Sequence, residues 1–284
     1  MTTDAGSTVP RRQLGRYLRK LREEARMTVK AAADALEWST PKIWRIETGA
    51  TSMRSLDVEA MCRIYRASPD LTEALMGLAK ETKGRGWWHS YGDAIPEWFE
   101  LYVGLEAAAA RLRTYEAQLV PGLLQTESYA TRVLETARPD MGQGEIERRV
   151  ALRLGRQALL TRVAPRAPQF DVLLDEAVLR RDVDREQLQR LVTVGRQPNI
   201  ALRLIPLVAG LHRGNMTSGT FTILDFEGGT EPSLVYSDSL TGALYLDKPG
   251  EVTTYGEAWA AMEKLALTEA QSRKLIASIA EDQA

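Results

Sequence analysis

The chain has 284 residues, 37 Lys+Arg against 38 Asp+Glu and a net charge of -1, an ordinary balance for one or two soluble domains. Hydrophobic residues at 44% and charged residues at 26% supply a sizeable core and exclude a disordered or collagen-like chain. One cysteine, Cys62, excludes an intramolecular disulfide and a Cys-rich zinc site. No run of about 18 apolar residues exists for a transmembrane helix, and Met1–Pro10 lacks the apolar stretch of a signal peptide. A cytoplasmic protein with no membrane partner is therefore expected.

The near-zero charge hides an asymmetry. Residues 1–86 carry 16 Lys+Arg and 11 Asp+Glu, which is +5, and the remainder carries -6. A basic end on an acidic body is what one expects where one end meets a polyanion.

Met1–Val9 is small and polar and reads as a disordered arm. Five short helices are expected over residues 10–81. The first runs from about Arg11 to Arg26, with Leu14, Tyr17, Leu18 and Leu21 on one face. Thr28 is the expected cap of a second helix, Val29–Leu36, whose alanines permit close packing. Ser39 is the expected cap of a third, Thr40–Glu47, with Pro41 in the first turn, where a missing N–H costs nothing. Gly49 ends it. Ser55 should cap a fourth helix, and a fifth spans about Leu71–Lys80.

Residues 82–96 break this pattern with Trp87, Trp88, His89 and Tyr91, and read as an aromatic linker packed on something. Residues 97–284 then form a second domain. Helices are expected over Gly104–Gln118, Thr126–Ala137 and Glu145–Val163, with a turn at Val120-Pro121-Gly122. After Pro165 the period changes to that of strands: Phe170–Leu174, Ile200–Pro206, Gly219–Phe226 and Leu234–Ser237. Helices Asp184–Val194, Gly250–Leu265 and Thr268–Ala280 complete the chain, the last with Thr268 and Gln271 at capping-box spacing. The fold class expected is α+β: an all-α five-helix head, then a mixed helix and sheet domain.

Helices two and three are short, close together and inside a basic module, the arrangement that offers one helix to a major groove. The segment LGRYLRKLREEARMTVKAAADALEWSTPKIWRIETG resembles the XRE helix-turn-helix of the lambda-repressor type over about residues 10–68. The resemblance implies that Thr28, Lys30, Ser39, Thr40, Pro41, Lys42, Trp44 and Arg45 face double-stranded DNA. Thr28 and Ser39 would lie at helix N-termini that can receive phosphates, and Lys42 would add a phosphate contact. Arg45 is the candidate for a bidentate contact to guanine. Trp44 would either face the groove or pack on helix two. Glu47 would pair with Arg22 across the packing of helices one and three, a structural role. The sequence departs from the family where Val29 replaces a frequent glutamine, Arg26 a frequent glycine and Trp44 a small or polar residue. Such modules bind palindromic operators as dimers, so a homodimer is expected, with Glu145–Val163 or the linker aromatics as the contact.

In the second domain GWWHSYGDAIPEWFELYVGLEAAAARLRTYEAQLVPGLLQTESYA, RLGRQALL, LLDEAVLRR and LIPLVAGLH are similar to the effector domain of actinobacterial XRE regulators of the WhiJ and Scr type. That likeness implies an antitoxin-like, partner-responsive regulator, often encoded beside a small partner protein. Trp87, Trp88, Pro121, Gly122 and Gln125 are the candidate ligand- or partner-binding residues, with Gly122 permitting an unusual backbone angle. Trp87, Trp88, Trp98, Phe99 and Tyr102 otherwise form ordinary core. No catalytic, metal or cofactor site is expected. Asp175-Glu176 is read as a cap or solvated face, His89 and His212 have no companion ligands, and Gly228-Gly229 is read as a hairpin turn. A DNA-binding transcription regulator, nucleoid-associated, is the function these features imply. The alternative is an antitoxin-like module that sequesters a small partner, with DNA binding secondary.

Overall fold

The computed structural model describes residues 8–82, 97–216, 219–227, 231–239 and 242–282. The expected linker with Trp87, Trp88 and His89, most of the N-terminal arm and the Gly228-Gly229 turn lie outside the described residues. The chain divides into two compact units, Met1–Ser90 with Glu100–Ala108 and Tyr91–Phe99 with Ala109–Ala284. The fold class is α+β, as the sequence pattern predicts.

The first unit contains α1 (Thr8–Glu24), α2 (Val29–Leu36), α3 (Thr40–Glu47), α4 (Ser55–Ile64) and α5 (Pro69–Glu81). The bounds of α2 and α3 are those read from the sequence. Thr28 Oγ1 accepts from the Ala31 amide at 3.0 Å and Ser39 Oγ from the Lys42 amide at 3.3 Å, so each cap satisfies a donor that the helix cannot. The tight turn between them places Glu37 in the left-handed region at φ 56°. Leu14, Leu18, Ala32, Ala33, Ile43, Ile46, Val58 and Met61 fill the core. Gly15 lets α1 lie directly on the end of α3, because any side chain there would run into the Ile46 and Glu47 carbonyls. Two details differ from expectation. Helix one starts at Thr8, ahead of Arg11. Arg54, not Ser55, holds the cap position of α4, and the Ser55 hydroxyl donates to the Met76 carbonyl instead.

After α6 (Glu97–Ala108), the second unit is built on a six-stranded sheet in the order β3-β2-β1-β4-β5-β6. The strands are β1 (Arg111–Glu116), β2 (Gln169–Asp175), β3 (Ile200–Ile205), β4 (Phe221–Asp225), β5 (Leu234–Ser239) and β6 (Gly242–Leu246). β1, β2 and β3 are parallel, and β4, β5 and β6 continue the sheet antiparallel. The expected helix over Gly104–Gln118 is therefore corrected: α6 stops at Ala108, and β1, near the middle of the sheet, follows. An alanine run followed by Leu112 and Tyr115, three apart, mimics a helical stripe. The strand forms because both flanks are paired, Leu112 with Phe170 on one side and Leu224 on the other.

Further helices are α7 (Glu127–Ala137), α8 (Gln143–Arg156), α9 (Arg185–Val194), α10 (Arg213–Met216), α11 (Pro249–Glu263) and α12 (Glu269–Glu281). The expected long helix Glu145–Val163 ends at Arg156 and tightens into a 3-10 turn over Gln157–Leu160. One sheet face carries Tyr115, Leu173, Phe221, Ile223 and Val235, packed with Trp259 and Met262 of α11. α9 makes the crossover that parallel β2 and β3 require. α12 has the capping box expected of Thr268 and Gln271. No helix among the described residues is long and apolar enough to cross a membrane.

Candidate nucleic-acid interface

α3 has two unlike sides. Ile43, Ile46 and Glu47 point inward and are buried. Thr40, Pro41, Trp44 and Arg45 point outward and are exposed, Trp44 by 61%. Trp44 thus lies on the outer face and not against helix two. Arg45 has no ion pair among the described residues. Lys42 is half-buried, with Nζ 3.3 Å from the centre of the Trp38 ring. This cation–π contact holds a long flexible side chain beside the start of α3. Trp38 lies in the turn between α2 and α3. Its spacing of four from Lys42 is the signal that would have found it.

Thr28 is exposed at the start of α2. Its hydroxyl oxygen accepts from Ala31, which leaves the hydroxyl hydrogen able to donate outward. Lys30 is exposed and paired with Asp34 at 2.8 Å. That contact raises the lysine pKa, first through the hydrogen bond and then through the charge of Asp34.

Behind α3 lies a closed ion pair. Arg22 Nε and Nη2 donate to the two oxygens of Glu47 at 2.6 and 2.9 Å, and Nη1 donates to the Met27 carbonyl at 2.9 Å. Both side chains are under 10% exposed. The hydrogen bond to Glu47 raises the Arg22 pKa, against the opposing effect of burial. This fork fixes the rotation of α3 about its axis, and so which side chains face out. Gly49, at φ 75°, then turns the chain tightly past Arg12. α2 and α3 thus each begin at a capped N-terminus, and α3 carries an exposed arginine and a lysine held against Trp38.

The remaining sequence-stated residues lie elsewhere. Pro121 caps a short 3-10 turn, Gly122–Leu124. Gly122 is corrected on one point: its φ is not positive, because it occupies the first position of that turn. Gln125 is buried, donates to the Val120 carbonyl at 2.7 Å and accepts from Arg153 at 2.8 Å. Gln157 and Gln187 close the same turn from outside, donating to the carbonyls of Gln125 and Leu124 at 2.7 and 2.9 Å. Asp175 caps the 3-10 turn Glu176–Arg180, and Glu176 accepts from the Leu207 amide at 3.0 Å and from Arg180 at 3.0 Å. His212 sits 3.5 Å from Asp175. Trp87 and Trp88 lie outside the described residues.

The geometry defines the first unit as a helix-turn-helix module, and residues 13–75 match a family described as a helix-turn-helix domain. Residues 99–278, more than half of the chain, match a domain of unknown function (DUF5753), and the protein belongs to that family. Neither description names a catalytic activity. No curated protein and no solved structure matches the chain. The helix-turn-helix match is that of a DNA-binding regulator.

Proposed function

We propose that the protein is a sequence-specific transcription regulator of the WhiJ and Scr type, cytoplasmic and nucleoid-associated. In this reading residues 10–81 are the DNA-binding domain and residues 97–284 dimerise and receive a signal. Thr28 and Ser39 bind phosphates at two helix starts, with Lys30 and Lys42 adding charge. Thr40, Pro41 and Trp44 lie along base edges, and Arg45 reads a guanine. A homodimer presents two α3 helices roughly 34 Å apart to a palindromic operator. The signal is a ligand or a small partner protein from a neighbouring gene. The observation that carries the reading is the split of α3: Trp44 and Arg45 outward, Ile46 and Glu47 locked inward.

Sequencing of the genomic DNA that co-purifies with the protein tests it. Enriched palindromic sites are expected. For such a site, log K should fall against log salt with a slope of about -0.9 per phosphate contacted. Absent or salt-insensitive binding would overturn the reading in favour of the partner-sequestering module.

A further inference from the structure

The outward side of α3 is chemically narrow. Its exposed residues are Thr40, Pro41, Trp44 and Arg45. Residues three and four apart on a helix are neighbours, so Trp44 lies beside both Thr40 and Pro41, and Arg45 borders Pro41. The remaining polar side chains of this stretch bond elsewhere. Lys42 Nζ rests 3.3 Å from the centre of the Trp38 ring, Glu47 is buried on Arg22, and the Thr48 hydroxyl donates to the Trp44 carbonyl at 2.9 Å.

Such a face reads only part of the major-groove code. Cytosine presents an N4 donor, which calls for a carboxylate, and the one carboxylate of α3 faces inward. Adenine is read at N6 and N7 together by Asn or Gln, and α3 has neither. Guanine suits Arg45, which has the two-donor fork. The Thr40 hydroxyl can bond to any of these edges and so does not discriminate. The Trp44 indole has a single N–H, no acceptor and a large apolar surface. Thymine is the base that adds an apolar group to the groove, its C5 methyl. Trp44 is 61% exposed, while Ile43 and Ile46 beside it are buried. The core beneath is filled, so most of the indole is left to cover an apolar group from outside.

From this geometry we propose that Trp44 is a specificity-determining residue for thymine. Its indole, flanked by the Pro41 ring and the Thr40 methyl, covers the C5 methyl of a thymine close to the guanine that Arg45 reads. The half-site therefore contains a guanine and a thymine at fixed spacing, and the T·A pair is recognised through its methyl rather than through adenine. Burying one methyl is worth roughly fourfold in affinity. This deepens the regulatory reading above and rests on it, since it takes α3 to lie in a major groove.

Duplexes selected from a random-sequence library by the full chain provide the probe. In the enriched duplex each thymine is replaced in turn by uracil, which removes the C5 methyl and leaves O4 and the base pair intact. One or two positions are expected to lose roughly fourfold in affinity each. Trp44→Ala should bind the thymine duplex more weakly by the same factor and treat thymine and uracil alike. Its melting temperature should hold, because most of the indole lies outside the core. Where the alanine variant does not fold, Trp44→Gln decides: its side chain pairs with adenine, so it should lose the uracil effect and change the preferred base at that position. Arg45→Ala should weaken binding and keep the uracil effect. Uracil tolerated at every position by the wild type, or an equal uracil loss in the wild type and Trp44→Ala, overturns the proposal. An oligomeric state that changes in Trp44→Ala without any uracil effect also overturns it, and makes the indole a subunit contact. Salt-dependent binding without uracil sensitivity sinks the methyl contact and leaves the regulator standing, whereas the absence of any enriched duplex sinks both.

Discussion

The helical unit and the sheet unit each enclose an arginine and a glutamate, and use them in opposite ways. Arg22 and Glu47 face one another along two hydrogen bonds, and all three donor directions of Arg22 are used. Arg153 and Glu116 are half-buried and make no ion pair with one another: Arg153 donates to Gln125, and Glu116 accepts from Thr220. A closed pair is an internal fastener. An open one leaves bonding capacity that solvent can take. Residue type therefore does not decide what such a pair does; the satisfaction of each polar atom does.

The sharpest way to break this comparison is to open the closed pair. Glu47→Ala leaves Arg22 buried without its carboxylate, which should cost about 3–5 kcal/mol of stability. Denaturant titration would measure it. Replacing both residues with apolar side chains of similar volume should cost less than the single change, because no buried charge is then stranded. If Glu47→Ala leaves the denaturation midpoint in place, the pair is not the fastener described.

Arg45→Ala tests the outer side of the same helix. Nothing buried depends on Arg45, so the melting temperature should hold. Binding to an isolated operator should weaken by about 1–3 kcal/mol, with base preference relaxed at one position. Equal losses on every sequence would make Arg45 a phosphate contact instead.

A smaller effect of opposite sign is expected at Arg26. It sits at φ 55°, where a side chain is strained. Arg26→Gly should raise stability by about 1 kcal/mol, since glycine enters this region freely. A fall in the melting temperature would show that the exposed arginine makes contacts worth more than the strain.

The two units were not equally legible in the sequence. α2 and α3 were readable to the residue, because Thr28, Ser39 and Pro41 act locally on the next three amides. The five-helix head followed from apolar spacing together with cap, proline and glycine signals. The sheet unit is decided by long-range pairing, and it hid two of its six strands. β1 looked helical because Leu112 and Tyr115 are three apart, and β6 is a short run that only β5 makes into a strand. Glu116 was lost with β1. Its partners Thr220 and Asp238 arrive from other strands and Arg153 from a helix, so no spacing could join them. On the helix-turn-helix surface the candidate residues came from the family resemblance, and what stayed hidden was Trp38 beneath Lys42.

The pH dependence of stability offers the finest test, and it acts on the open pair. Glu116 has an ordinary value of 4.5, and desolvation raises it to about 8 in the folded chain. The Thr220 hydrogen bond lowers it, the Asp238 charge raises it and Arg153 lowers it, and Tyr129 lies near it as a neutral phenol. Between these two values the unfolded chain has released the proton and the folded chain has not. This group's contribution is thus complete below 4.5 and lost as the pH rises to about 8. Glu116→Gln cannot ionise and keeps a neutral partner for Thr220. Its melting temperature should gain steadily on the wild type through that window and run parallel above it. Parallel curves within the window would mean that solvent reaches the carboxyl freely, and the contrast between the two pairs would then lose its physical basis.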